Sequence, residues 1–315
     1  MPIPVIAVTQ RKGGPGKTTL ARTLAEYWAL IQKRSILLID FDTQCNLSDL
    51  FLPMERHPGA GTRPPIHPEY DPSSPDDAHW NGRSSSADIF YSGNPVAYPV
   101  VRPEGVSNIH ILPGDSEKLI HVEEQDKTKL KHAVENRTFE FLDGNAAIEE
   151  LFDIIIIDTA PSASPLTRSA LRAASHMLVP MELEEQCWEG THEMLSLWRG
   201  ENSRRPSERR IEILAIQPNK VKMTRMVHQE FLNTLKSSKA VAPYLSPVLI
   251  PDRAEFAERD TQTARPRSIY QLPPSNPVRK IAVQFGDYIH GRLFAGREDS
   301  TEAHATIEPE GVANA

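Results

Sequence analysis

Residues 5–19, VIAVTQRKGGPGKTT, decide the fold, because an apolar run leads there directly into a glycine-rich loop. The apolar run is typical of a buried parallel strand. After the loop, apolar side chains recur along one face of a predicted helix, at Leu20, Leu24, Tyr27, Trp28 and Ile31. Strand, glycine loop and helix in this order predict an α/β architecture with a ligand at the loop.

The loop has the composition of a phosphate-binding site. Its glycines let backbone N–H groups point inward together, and the helix that follows adds about half a positive charge at its N-terminus. Lys17 would reach the β- and γ-phosphates, and the Thr18 hydroxyl would bind Mg²⁺. The alternative is a glycine-rich turn with an incidental lysine. The predicted nucleotide-binding residues are Gly13, Gly14, Pro15, Gly16, Lys17, Thr18 and Thr19.

A second lysine makes this loop unusual. Lys12 stands just before the double glycine, and Arg11 occupies the position where the general pattern G-x-x-x-x-G-K-[ST] has glycine. The arrangement resembles the deviant Walker A motif of the ParA/MinD family of P-loop ATPases. This resemblance implies a doubly wound, mostly parallel sheet with helices on both faces. It also implies an ATPase that uses ATP and Mg²⁺, with Lys12 and Lys17 as catalytic residues.

Composition limits the remaining choices. The chain has 315 residues, a formal net charge of −7 and 39% hydrophobic residues, which is enough for a core of one large domain or two small ones. The two cysteines, Cys45 and Cys187, lack the spacing of a zinc site or a disulfide framework. Because neither a signal peptide nor a membrane span is visible, the sequence predicts a cytoplasmic protein with no membrane association.

Acidic residues follow two further apolar strands. Residues 35–40 predict a strand that ends in Asp40-Phe41-Asp42-Thr43-Gln44-Cys45-Asn46, and four isoleucines at 154–157 precede Asp158. Ligands of open α/β sheets bind at the carboxyl ends of the strands. The first segment resembles the family motif Asp-x-Asp-Pro-Gln-x-Asn, with Thr43 in place of proline. The resemblance assigns the attacking water to Asp42 and Mg²⁺, directly or through water, to Asp158. The alternative is that these acids only cap loops.

Further alternations predict more βα units. Strands are expected at 108–113, 176–180, 211–216 and 248–251, and helices at 115–137, 167–174, 187–198, 223–235 and 277–294. The resemblance places adenine contacts at Asn219, after one of these strands, and at the backbone of Pro251 and Asp252, after the last.

One domain accounts for most of the chain. We expect a ParA-like P-loop ATPase domain over residues 1–295. A Pro-rich insertion at about 53–86 interrupts it and is expected to be exposed and partly disordered. Residues 296–315 are acidic and poor in large apolar side chains, so the sequence predicts a disordered tail.

The ParA-type branch implies a partition or positioning ATPase. Such an ATPase forms a homodimer with ATP, in which Lys12 reaches the nucleotide of the other subunit. The dimer binds DNA without sequence preference and is nucleoid-associated. A ParB-like or other adaptor protein stimulates hydrolysis, and the cargo is a plasmid, a chromosome or another body. Candidate DNA contacts are Lys220, Lys222, Arg225, Arg265, Arg267, Arg279 and Lys280.

Other branches fit less well. A MinD-like membrane ATPase would need a basic amphipathic helix at its C-terminus, where this chain is acidic. A ParA-like ATPase that positions a protein cargo such as a carboxysome would have the same core. A reductase like the nitrogenase iron protein needs cysteines beside the Asp158 strand, and neither Cys45 nor Cys187 is there. A member that only holds nucleotide is disfavoured by Lys17, Asp42 and Asp158.

Overall fold

The computed structural model describes residues 3–57, 59, 61–91, 93–102, 105–124, 130–259 and 268–295. Its strands are β1 (Val5–Val8), β2 (Ile36–Phe41), β3 (Glu55–His57), β4 (Gly61–Arg63), β5 (Tyr98–Arg102), β6 (Gly105–Leu112), β7 (Ile154–Thr159), β8 (His176–Met181) and β9 (Glu212–Pro218). Seven of them form one sheet in the order β5-β6-β2-β7-β1-β8-β9, while β3 and β4 form a separate antiparallel hairpin. Within the large sheet all neighbours are parallel except β5, which runs antiparallel to β6.

Helices cover both faces of the sheet. They are α1 (Lys17–Leu30), α2 (Asn46–Phe51), α3 (Ser116–Glu124), α4 (Leu130–Leu142), α5 (Ala146–Leu151), α6 (Pro165–Ala173), α7 (Glu185–Asn202), α8 (Met226–Ser237), α9 (Ala254–Arg259) and α10 (Pro277–Phe294). Strand β7 shows how the layers form. Ile154 and Ile156 pack in the core that contains α1 and α10, whereas Ile155 and Ile157 pack in the core that contains α4, α6 and α7. A strand buried on both faces needs an uninterrupted apolar run. The predicted doubly wound, mostly parallel fold is confirmed.

Two predictions about strands were wrong or incomplete. Residues 248–251 make isolated contacts, such as the bridge between Val221 and Pro251, and form no strand. Pro247 and Pro251 have no N–H to donate to a ladder, which explains this. Strand β5 was not predicted, and it contains Pro99. Proline is tolerated there because β5 lies at the edge of the sheet.

The Pro-rich insertion is more ordered than its composition predicted. It contains the β3–β4 hairpin, in which Glu55 accepts hydrogen bonds at 2.9 Å from both Arg63 and Arg83. His67 is 1% exposed, and its ring lies 4.4 Å from that of Tyr98 on β5. These contacts join residues far apart in sequence, so local composition does not reveal them.

The predicted acidic tail, residues 296–315, lies outside the described residues. Across the ranges that the structure describes, no helix has both the length and the apolar character needed to cross a bilayer.

The packing of α10 on α1 gives a test of the fold. A Cβ atom added at Gly286 would overlap the ring of Tyr27, which is fully buried and also contacts Tyr270. We expect Gly286→Ala to lower the free energy of unfolding by about 1–3 kcal/mol, because the ring has nowhere to move. Thermal unfolding measures this. The control is Gly291→Ala on the same helix, where a Cβ meets nothing within 4 Å. It should be neutral or stabilising by up to about 1 kcal/mol, and equal effects of both variants would contradict this packing.

Candidate active site

The glycine-rich loop has the backbone that phosphate binding requires. Gly14 and Gly16 have φ values of +96° and +91°, in the left-handed region that favours glycine. A Cβ at Gly16 would also overlap the side-chain amide of Asn219. Gly16 is the N-cap of α1 and makes no side-chain cap hydrogen bond. The N–H groups of the first turn of α1 are therefore available to a phosphate group.

Thr18 and Asp158, the two residues predicted to bind Mg²⁺, lie next to each other. The Thr18 hydroxyl donates a 2.7 Å hydrogen bond to Oδ2 of Asp158. Asp158 is fully buried, and its Oδ1 has no hydrogen-bond partner among the described residues. Burial raises the pKa of Asp158 to about 8, and the charge of Asp40 adds to this. A buried carboxylate oxygen without a partner beside a hydroxyl fits Mg²⁺, which takes one or two protein ligands and completes its shell with phosphate and water.

Lys17 is buried next to the same acids. Its side chain faces the charges of Asp158 and Asp42, and its Nζ lies 3.5 Å from the carbonyl oxygen of Lys12. Burial lowers the pKa of Lys17, and the two carboxylates oppose this shift. An ammonium group held in so little water would be stabilised further by a phosphate.

The two acids at the end of β2, Asp40 within the strand and Asp42 just after it, have different environments. Asp40 is fully buried and accepts hydrogen bonds from the backbone N–H and hydroxyl of Ser48 and from the N–H of Asp42. Burial raises the pKa of Asp40 to about 7. Through these hydrogen bonds Asp40 holds the segment from Asp42 to Ser48 in shape. Asp42 instead lines a cavity together with Lys17 and Thr18, where a carboxylate can contact a water beside the phosphates.

This cavity has a volume of about 910 Å³. It is lined by Gly13, Gly14, Gly16, Lys17, Thr18, Thr19, Asp42, Gln44, Asn46, Asp49, Leu50, Pro53, Met54, Arg56 and Pro161. The cavity therefore extends from the P-loop (residues 11–19) over α2 to the start of the Pro-rich insertion.

The residues predicted to contact adenine do not line this cavity. Asn219 is 5% exposed, and its Nδ2 donates a 2.8 Å hydrogen bond to the carbonyl oxygen of Pro15. Asp252 forms a 2.5 Å ion pair with Lys222, and Pro251 lies beside Val221. In this structure Asn219 supports the P-loop through its hydrogen bond to Pro15. Adenine recognition by these three residues stays a prediction.

Lys12 forms an ion pair within the chain. Its Nζ lies 2.7 Å from Oε2 of Glu184, the N-cap of α7. This hydrogen bond raises the pKa of Lys12 and lowers that of Glu184. The side chain of Glu184 is 52% exposed, so the pair lies at the protein surface.

Gln10 and Arg11 have structural roles that the local sequence did not predict. Gln10 is fully buried, donates to the carbonyl oxygen of Pro180 and to Thr191, and accepts a 2.8 Å hydrogen bond from the N–H of Arg11. Arg11 does not have a positive φ, so its position does not require glycine. Its guanidinium forms a 2.7 Å ion pair with Glu193 of α7. The only local sign of this role was that Gln10 is a polar residue next to a buried strand.

Lys220 lies at the P-loop. Its Nζ donates hydrogen bonds to the carbonyl oxygen of Gly14 at 2.5 Å and to Glu182 at 2.9 Å. This lysine was predicted to contact DNA, but here its ammonium group stabilises the loop.

The other DNA candidates belong to separate elements. Arg225 is the N-cap of α8. In the first turn of α10, Arg279 donates a 2.9 Å hydrogen bond to the carbonyl oxygen of Leu272, and Lys280 is exposed. Arg265 and Arg267 lie outside the described residues.

Comparison with known proteins agrees with this geometry. A family model described as an AAA domain matches residues 3–205. A protein of Rhizobium rhizogenes named as a replication protein A is 34% identical over 179 residues, which are 56% of this chain and 39% of that protein. A ParA family protein of Chlamydia trachomatis is 31% identical over 201 residues, which are 64% of this chain and 67% of that protein. The chain thus spans about two fifths of the first relative and two thirds of the second.

The fold is also found among solved structures. The structure of an ATP complex of McdA from Cyanothece superposes with a TM-score of 0.66 at 17% identity, and covers 98% of this chain and 99% of that one. At this identity the match concerns the fold alone.

The buried Gln10 gives a test of the site. In Gln10→Leu the N–H of Arg11 and the carbonyl oxygen of Pro180 lose their partner. We expect ATP affinity to fall by between about fivefold and a hundredfold, as leaving buried polar groups unpaired costs about 1–3 kcal/mol. Isothermal titration with ATP and Mg²⁺ measures this. Thr191→Val removes only one acceptor of Gln10 and should have a smaller effect; if Gln10→Leu binds ATP like wild type, Gln10 does not position the loop.

Proposed function

Because the chain belongs to the AAA domain family and is a ParA/MinD-type P-loop ATPase, we propose that it dimerises on ATP, binds DNA and uses hydrolysis to position or segregate a cargo. The observation that carries this proposal is that Lys17, Thr18 and Asp42 line one cavity, that Asp158 accepts a hydrogen bond from Thr18, and that Lys12 lies in the same loop. ATP and Mg²⁺ are the cofactors that these residues fit.

Each residue has a defined task in hydrolysis. The N–H groups of the P-loop and the ammonium of Lys17 bind the β- and γ-phosphates, and Thr18 and Asp158 would hold Mg²⁺, which neutralises charge on the phosphates. Asp42 orients the attacking water. The water oxygen bonds to the γ-phosphorus while the bond to the bridging oxygen breaks, and ADP and phosphate leave.

Lys12 makes the site depend on a second subunit. In the monomer its ammonium group is bound to Glu184, and that exposed pair is worth about 1 kcal/mol or less. A γ-phosphate presented by the partner subunit offers more negative charge and can displace Glu184. Because ADP lacks this group, the exchange would tie dimerisation to ATP.

The resemblance to the ParA family, rather than the geometry of the site, supports the partner protein and DNA in this proposal. The names of the relatives mention replication and the ParA family. A ParB-like adaptor that stimulates hydrolysis would then release the dimer from DNA. Loss of the γ-phosphate frees the loops at Asp42 and Thr159, which is the switch that such a cycle needs.

The separate roles of Lys12 and Asp42 can be tested directly. We expect Lys12→Ala to remain monomeric with ATP, because the charge that reaches the other nucleotide is gone. Asp42→Ala should dimerise and be retained on DNA with ATP but should lose turnover, as only the water is affected. Light scattering after size exclusion, DNA retention and phosphate release measure these properties.

Glu184→Gln is the matched control, because it keeps Lys12 and removes its intramolecular partner. It should dimerise at an ATP concentration several-fold below that of wild type. A Lys12→Ala protein that dimerises normally with ATP would rule out the role across the dimer.

DNA binding should be electrostatic. We expect ATP-dependent retention on DNA of mixed sequence to fall steeply between about 50 and 200 mM salt, because phosphate contacts release counterions. Lys280→Glu should reduce retention and the salt slope. Lys33→Glu makes the same charge change after α1, at the opposite edge of the sheet from the P-loop, and should have little effect. Binding that ignores salt or does not need ATP would contradict the proposal.

A further inference from the structure

The Pro-rich insertion forms part of the wall of the nucleotide cavity. Pro53, Met54 and Arg56 line the same space as Lys17 and Thr18. Nothing in the phosphate-loop motif accounts for this, since the insertion follows the loop by more than thirty residues in sequence. The environment of these insertion residues therefore changes when a nucleotide enters the cavity.

Charge singles out Arg56 within this wall. Among the side chains that line the cavity, Lys17 and Arg56 are the basic ones, and Asp42 and Asp49 are the acidic ones. Mg²⁺ and Lys17 neutralise only part of the charge of a triphosphate. A guanidinium group at the wall can supply two parallel N–H donors to phosphate oxygens, which is the geometry that arginine prefers.

The two arginines of the β3–β4 hairpin, Arg56 and Arg63, lie on opposite faces of it. Residues of a strand alternate between two faces, so Arg56 points away from the face that carries Glu55 and His57. On that other face Arg63 is bound to Glu55 through two nitrogens, at 3.0 and 2.9 Å. The side chain of Arg56 is 76% exposed, and it forms an ion pair with Asp49 of α2 at 2.5 Å.

The Arg56–Asp49 pair is easy to exchange. Exposed ion pairs contribute about 1 kcal/mol or less. A triphosphate carries more negative charge than the single carboxylate of Asp49, and its oxygens can accept two parallel N–H bonds from a guanidinium. The negative charge of Asp49 would repel a phosphate, and Arg56 reduces this repulsion, so Arg56 has two ways to favour nucleotide.

We propose that Arg56 is a further nucleotide-binding residue. When nucleotide binds, Arg56 exchanges its ion pair with Asp49 for a contact with the phosphates, and this exchange couples the insertion to the nucleotide state. This inference rests on the proposed function in that ATP must occupy this cavity. It adds that the insertion takes part in nucleotide binding: its β3–β4 hairpin positions Arg56, and the guanidinium of Arg56 contacts the nucleotide.

The test is a double-mutant cycle on Arg56 and Asp49. Binding of ATPγS with Mg²⁺, and of ADP, is measured for wild type, Arg56→Ala, Asp49→Asn and the double variant. Arg56→Ala should weaken ATPγS binding by about fivefold or more, both in the wild-type background and in the Asp49→Asn background. Asp49→Asn alone should bind ATPγS at least as tightly as wild type, because Arg56 is released. Arg56→Lys should recover part of the loss.

The outcomes separate this inference from the proposed function. If Arg56→Ala has no effect once Asp49 is replaced, Arg56 only neutralises Asp49 and the contact is absent. Arg63→Ala, in the same hairpin, should stay within about twofold of wild type; an equal loss there would mean that the effect is a disturbed hairpin. If wild type itself fails to bind ATPγS while remaining folded, the proposed function fails, whereas normal binding by all variants overturns only the role of Arg56.

Discussion

The burial of charge at the carboxyl edge of the central strands is the constraint on which the site depends. Lys17, Asp40 and Asp158 are each less than a tenth exposed, and such groups are costly unless they have partners. The parallel register brings these groups to one point, because Asp158 of β7 lies opposite Asp40 of β2 on one side and Val8 of β1 on the other. The P-loop that follows β1 therefore meets the acids of β2 and β7 at one point. Removing any of these strands would leave buried charges unpaired.

Helix α7 and the loop after β9 fix the P-loop from two sides. On the first side, Glu184 of α7 binds Lys12, and a Cβ at Gly190 would approach Oε1 of Gln10 to 2.7 Å, so only glycine lets the helix come this close. On the second side, Asn219 and Lys220 donate to carbonyl oxygens of the loop. The loop is thus held in shape through its carbonyl groups, which leaves its N–H groups to the phosphates.

Local sequence patterns predicted those strands and helices whose burial depends on residues close together in the sequence. The strand, loop and helix at 5–31 and the isoleucine strand before Asp158 were predicted correctly because consecutive residues encode their burial. Strand β5 was not, because its proline argues locally against a strand. The folding of the insertion onto β5 and the role of Gln10 were not, because the partners of His67 and Gln10 lie far away along the chain. Lys220 and Gly14 are 206 positions apart, and a lysine in a loop gives no sign of such a contact. For Asp42 the motif identified the residue, and the structure places it in the cavity beside Lys17.

Buried charged groups and surface ion pairs around the P-loop together explain how a rigid site can still respond to nucleotide. The buried set of Lys17, Asp40 and Asp158 cannot rearrange without exposing charge to an apolar surrounding, so it stays in place when phosphate arrives. Lys12, Arg11 and Arg56 are instead paired with surface carboxylates, at 2.7, 2.7 and 2.5 Å. Because each such pair contributes little, the phosphate contacts proposed for Lys12 and Arg56 would be enough to exchange the pairs of these two residues. Those three basic residues connect the P-loop to α7 and the insertion to α2, so nucleotide can move the surroundings of the site while its interior keeps the geometry that hydrolysis requires.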